Sequence, residues 1–148
     1  MQITSPAFRN GQPIPLEHTC KGRDASPEIS WTGLPDGTGA VALILDDPDA
    51  PGGTWTHWTL WDLPPTVMSL AAGADVTRLG AVLGTTSART QGYHGPCPPS
   101  GTHRYFFTIY ALDGMLGLPR GAKVDELRAA IKGRALGKGQ LMGTFSKA

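Results

Sequence analysis

The chain has 148 residues, of which 40% are hydrophobic and 17% charged, and its formal net charge is +1. This suits one domain over residues 1–148 with one sizeable core, and it excludes a chain whose main business is nucleic acid, which would carry a basic surface. No run of about 18 apolar residues is present to span a membrane, and the first residues, Met1-Gln2-Ile3-Thr4-Ser5-Pro6, lack a basic segment followed by an apolar stretch, so the expected location is cytoplasmic.

Twenty glycines and 13 prolines, with no repeat period, predict many turns and short elements. A short strand is expected at residues 29–31. The stretch 39–46 contains the run Val41-Ala42-Leu43-Ile44-Leu45 and reads as a strand buried on both faces. Residues 54–63, rich in Trp and Thr and stopped by Pro64-Pro65, form the next strand. Residues 103–112 and 140–145 complete the strand set. Between them lie the turn signals Pro35-Asp36-Gly37, Pro51-Gly52-Gly53 and Pro98-Pro99-Ser100-Gly101. One helix is predicted at residues 123–135, where Val124, Leu127 and Ile131 form an apolar stripe. Its first turn holds Asp125 and Glu126, which suit the helix dipole, and Gly133 or Gly137 supplies the stop. Many strands with one helix in the C-terminal half predict a mainly β protein, an antiparallel β-sandwich with a helix attached.

Three clusters carry candidate chemistry. Asp46-Asp47-Pro48-Asp49-Ala50-Pro51 places three carboxylates at the exit of a buried strand, stiffened by two prolines. A solvated acidic turn is the plainer reading of the same residues. In Trp55-Thr56-His57-Trp58-Thr59-Leu60-Trp61, strand alternation predicts His57, Thr59 and Trp61 on one face and Trp58 and Leu60 on the other. A satisfied core histidine is the alternative there. In Gly95-Pro96-Cys97-Pro98-Pro99-Ser100-Gly101-Thr102-His103-Arg104-Tyr105, a Pro/Gly-rich loop leads into His103 and Tyr105, which share a face while Arg104 points away. Cys20 and Cys97 fit no zinc or CxxC spacing; they read either as two small, partly buried residues or as a disulfide.

Taken in order, Ser26-Pro27-Glu28-Ile29-Ser30-Trp31, Asp47-Pro48-Asp49-Ala50-Pro51, His57-Trp58, Gly95-Pro96-Cys97-Pro98-Pro99, His103-Arg104-Tyr105, Tyr110-Ala111-Leu112-Asp113 and Leu141-Met142-Gly143-Thr144 resemble the phosphatidylethanolamine-binding protein family, its bacterial and archaeal branch above all. The resemblance spans essentially the whole chain. It implies a sandwich of antiparallel sheets with a pocket at one end of the strands. Asp47 and His57 would supply one side of that pocket, His103 and Tyr105 another, and Pro96, Pro98 and Pro99 its rim. It also implies a small anionic ligand, phosphate or a phosphoethanolamine head group, with at most transient contact with lipid. Members of that family include kinase-pathway and protease inhibitors, so the resemblance leaves open a protein partner, a kinase or a protease, and either a monomer or a homodimer. Two departures stand out: Thr86-Ser87-Ala88-Arg89 replaces an Asn-Asp-aromatic-Gly stretch, and His94 stands where glycine is usual.

Such a pocket would work through a histidine that Asp47 steadies at one ring nitrogen while the other meets the anion, so phosphate should bind more tightly at pH 6 than at pH 8. The expected function is therefore non-enzymatic anion binding without a cofactor. Two alternatives stay open: inhibition of a protease or kinase through surface loops, and a metal-dependent or hydrolytic enzyme using Asp47, His57 and His103.

Overall fold

The computed structural model describes residues 1–147. Strands β1 (Gln2–Thr4), β2 (Ile29–Thr32), β3 (Ala40–Asp47), β4 (Trp55–Leu63), β5 (Ser69–Leu70), β6 (Val82–Leu83) and β7 (Thr102–Leu112) precede helix α1 (Val124–Ile131), and β8 (Ala135–Ser146) follows it. Two sheets result, both antiparallel: a three-stranded sheet in the order β1-β2-β5 and a five-stranded sheet in the order β6-β4-β3-β7-β8. The expected β-sandwich with one late helix is the fold of the protein.

The apolar run in β3 explains the layering. All five residues Val41–Leu45 are buried, because each face of the strand meets a different layer. Leu43 and Leu45 join Ile29, Trp31, Trp58, Leu60, Tyr105, Phe107 and Ile109 in the core between the sheets. Ala40, Ala42 and Ile44 face the other way, onto Trp61, Leu112, Leu127 and Ile131. The stripe predicted for the helix is thus its buried side. Burying each such large side chain contributes roughly 1.5–3 kcal/mol before chain entropy is charged against it.

The helix is shorter than its pattern. It stops at Ile131, and Gly133 takes φ 81°, the left-handed conformation that glycine adopts without penalty. At its start the Glu126 side chain accepts from the Lys123 N–H, satisfying one of the free donors of the first turn. The last strand is longer than its pattern. Residues 135–139 carry two glycines and lack apolar alternation, yet they pair with β7 out to Leu112↔Ala135. The ladder with β7 holds them extended where local propensity does not.

Candidate functional site

The site grows from the exit of β3. Asp47 is buried, and its two carboxylate oxygens have different partners. Oδ1 accepts from the Asp49 backbone N–H at 2.8 Å, closing a turn around Pro48. Oδ2 accepts from His103 Nδ1 at 2.6 Å. Asp49 in turn accepts from the Arg104 backbone N–H and from its guanidinium Nε and Nη2, at 2.8–2.9 Å. The Arg104 guanidinium and backbone N–H hold the Asp49 carboxyl at a pKa of about 2. The acidic cluster is therefore not a loosely solvated turn; it ties the end of β3 to the start of β7.

His57 reaches the same place through an irregularity. Trp58 pairs with Leu45, but the next pair along is Thr56 with Asp46, so His57 is an extra residue in β4. This bulge overturns the alternation expected for the strand. Trp58 and Leu60 pack in the inter-sheet core and Trp61 packs on the opposite face, as predicted, but His57 does not follow Trp61. It turns to the face of Asp47 and Tyr105, with the Tyr105 ring edge-on at 5.3 Å between centroids. A β-bulge re-aims one side chain at the cost of one unpaired residue.

His57 and Asp47 do not form a pair. His57 Nδ1 lies 2.6 Å from the carbonyl oxygen of His94, and since a carbonyl only accepts, Nδ1 carries the proton. His57 is buried, and desolvation lowers its pKa to about 4 against the support of that hydrogen bond. The ring is neutral around pH 7, with a lone pair on Nε2. At His103 the carboxylate plays the same part, so Nδ1–H faces Asp47 and Nε2 is free. Tyr105 is fully buried at the base of the site, and its hydroxyl has no hydrogen-bond partner. Burial, and next the nearby Asp47 charge, raise its pKa well above the ordinary phenol value.

These groups line one cavity of about 230 Å³, which is open to solvent. Asp47, His57, His103, Tyr105, Pro98 and Pro99 all contribute to its wall, as do Ala50, Pro51, Trp55, His94 and Cys97. Pro96 does not reach it; Pro96 is buried behind the rim, and its carbonyl accepts from the Cys20 N–H. Sequence reasoning passed over Trp55, which lies half-exposed at the mouth, and it saw His94 as a change in the loop rather than as the carbonyl that orients His57. Cys97 is bonded to Cys20, with 5.5 Å between the Cα atoms, so the open question about the two cysteines resolves as a disulfide. In the chain-entropy account, closing a loop this long stabilises a fold by roughly 4 kcal/mol. Among the described residues, no three His, Cys, Asp or Glu side chains are disposed to hold a metal ion. Asp47 and His103 bind each other, and His57 binds a carbonyl.

The stretch Thr86-Ser87-Ala88-Arg89 lies beside this cavity rather than in it. The Ser87 backbone N–H donates to the Thr56 carbonyl and its hydroxyl accepts from the Thr56 N–H, so it extends the edge of β4 next to the bulge. Arg89 adopts φ 63°, the left-handed region that glycine occupies freely.

The family profile described as "Phosphatidylethanolamine-binding protein" matches residues 4–146. A UPF0098 protein of Methanothermobacter thermautotrophicus is 43% identical, with 99% of each chain covered. A lipoprotein candidate of Mycobacterium tuberculosis, LppC, is 42% identical, covering 98% of this chain and 72% of its own length. The crystal structure of a phosphatidylethanolamine-binding protein homologue from Chlamydia trachomatis superposes with a TM-score of 0.93 at 39% identity, covering 99% of this chain and 97% of that one. Two sheets, a bulge-borne histidine and a pocket at the strand ends define a pocketed β-sandwich. The chain belongs to the phosphatidylethanolamine-binding protein family.

Proposed function

We propose that the cavity binds a small phosphate-like anion, inorganic phosphate or the phosphate of a head group such as phosphoethanolamine, without chemical conversion. The observation that carries this reading is that Tyr105, His57 and His103 line one cavity, with the buried Tyr105 hydroxyl, beside Asp47, and the Nε2 atoms of both histidines left without a protein partner. In the proposed complex His103 donates from Nε2 as an imidazolium, with Asp47 as its counter-ion. The Tyr105 hydroxyl donates to a second oxygen. Neutral His57 accepts, which matches a P–OH. The preferred species is therefore one that keeps a P–OH, which for a phosphomonoester is the monoanion, whose remaining proton is lost at about pH 6. The volume is below that of ordinary drug-sized pockets and suits such a group, and Pro51, Trp55, Pro98 and Pro99 offer an apolar collar to the carbons of a head group.

Binding rather than catalysis fits a lining that offers no serine, threonine or free thiol as nucleophile. The Cys97 sulfur is held in the disulfide, and the Tyr105 phenol is stabilised as the neutral form. Modulation of a protein partner is a second proposal; it would act through exposed loops and survive loss of the pocket. The cytoplasmic setting expected from the sequence meets opposing evidence in the disulfide. Among the described residues no helix is long and apolar enough to cross a membrane, while the disulfide favours an oxidising compartment.

Calorimetric titration with inorganic phosphate and with phosphoethanolamine tests the main proposal. Dissociation constants in the high-micromolar to millimolar range are expected from two or three polar contacts after binding costs. Affinity should be higher at pH 6 than at pH 8 and should be lost in His103→Gln. Absence of binding to the intact protein at either pH contradicts the proposal.

A further inference from the structure

We propose that the Cys20–Cys97 disulfide is a redox-exchangeable site whose state sets the ligand affinity of the cavity. The inference rests on the reading of that cavity as a ligand site. Three observations lead to it. Cys97 forms part of the cavity wall, so the bond lies in the rim itself. Both cysteines are exposed residues, so the bond lies at the protein surface rather than in its core. Finally, the rim is tied down unevenly. Before Cys97 the loop is pinned to the N-terminal segment by ordinary hydrogen bonds: the Tyr93 hydroxyl donates to the His18 carbonyl at 2.6 Å, the Gly95 N–H to Asp24 at 3.0 Å, and the Cys20 N–H to the Pro96 carbonyl at 3.1 Å. After it, among the described residues, positions 97–100 make no hydrogen bond, and two of the four are prolines with no N–H to give. Besides the packing of the buried Pro98, the disulfide is what fixes the start of this stretch, which presents Pro98 and Pro99 to the ligand.

Reduction would therefore act locally. A thiolate of a small thiol attacks one sulfur of the bond, forming a mixed disulfide and releasing the other cysteine as a thiolate. A second thiol attacks the mixed disulfide and leaves as the oxidised small-molecule disulfide. Two electrons pass to the protein, and the two cysteine sulfurs take up the protons that the attacking thiols gave up. The segment 93–96 keeps its hydrogen bonds, whereas Pro98 and Pro99 lose their covalent anchor. The ligand must then order that wall on binding, which lowers affinity on the scale of about tenfold.

The wild-type protein suffices for the test. It is equilibrated in a graded series of reduced and oxidised glutathione, with and without saturating inorganic phosphate, and the disulfide fraction is read by alkylation and mass spectrometry. If the disulfide form binds phosphate about tenfold more tightly, phosphate must raise the ratio of disulfide to dithiol by the same factor, because coupling is reciprocal. Backbone amide signals of β3 and β7 should keep their positions on reduction. Cys20→Ser, which breaks the bond without altering a cavity residue, should reproduce the weaker affinity. A ratio that phosphate leaves unchanged overturns the inference, and so does loss of the β3 and β7 signals on reduction, which would make the bond a staple for the whole fold. Failure of phosphate to bind the fully oxidised protein, measured before any thiol is added, instead overturns the reading of the cavity.

Discussion

The two faces of the five-stranded sheet put neighbouring carboxylates to different uses. Asp46 and Asp47 are consecutive at the end of β3, so their side chains point to opposite sides. On the helix-covered side Asp46 meets Arg128 of α1 at 2.7 Å, a pair whose arginine stays largely exposed. Burial raises the Asp46 pKa even though Arg128 pulls it down. On the sandwich side Asp47 is buried against His103, with the cavity beside it. The first face packs Ile44, Trp61, Leu127 and Ile131 and closes with an ion pair at its margin. The second leaves polar atoms unpaired at the end of its core. A carboxylate at a wet margin is a minor contributor to stability, whereas one buried beside an imidazole organises a site.

Three experiments sharpen that contrast, and the largest effect belongs to His57. Its folded pKa of about 4 lies below the unfolded value of 6.5, so the unfolded chain binds the extra proton as pH falls through that window. The stability contributed by the neutral ring is intact above about pH 6.5 and is lost progressively toward pH 4, by roughly 3 kcal/mol. Urea melts across this range should show the loss, and His57→Gln should flatten it. An unchanged slope in the variant would place the acid sensitivity elsewhere.

Next in size is the pair of acids. Asp47→Asn removes the charge that holds His103, and phosphate affinity should fall about 10–100-fold, the worth of one charge-assisted hydrogen bond. Asp46→Asn should leave affinity within about twofold and cost at most about 1 kcal/mol of stability. Equal effects of the two on binding would erase the distinction between the faces. A smaller effect than that of Asp47→Asn is expected for Arg104→Ala, which frees Asp49 and loosens the turn around Pro48. Being half-exposed, the pair should cost about 1 kcal/mol or less in a denaturant melt, with a modest loss of phosphate affinity as Asp47 becomes less well positioned.

What the sequence makes legible here is local. Asp47-Pro48-Asp49 and His103-Arg104-Tyr105 carry their geometry in adjacent residues, because a proline turn and strand alternation fix directions over two or three positions. Val41–Leu45 announces a strand buried on both faces in the same way. The aim of His57 is not legible, since it depends on one residue of register between β3 and β4, and pairing register is set by the whole sheet. Its partner, the His94 carbonyl, is invisible for a related reason: any residue has a carbonyl, and only the folded loop brings this one within 2.6 Å. Cys20 and Cys97 are 77 positions apart, so only tertiary structure pairs them. The strands β1, β5 and β6 span two or three residues each, too few for a period to show. The family resemblance puts Pro96 at the rim with Pro98 and Pro99, but its carbonyl is engaged behind the wall.

The proton inventory of the two imidazoles tests the account most directly, and nitrogen NMR of histidine-labelled protein reads it. At pH 7 without ligand, His57 should show a protonated Nδ1 and a bare Nε2, staying neutral down to about pH 5. Phosphate should then move the Nε2 resonances of both His57 and His103 while each Nδ1 keeps its proton. Finding His57 protonated on Nε2 instead, or finding both Nε2 signals indifferent to phosphate, would contradict the arrangement on which the proposed ligand depends.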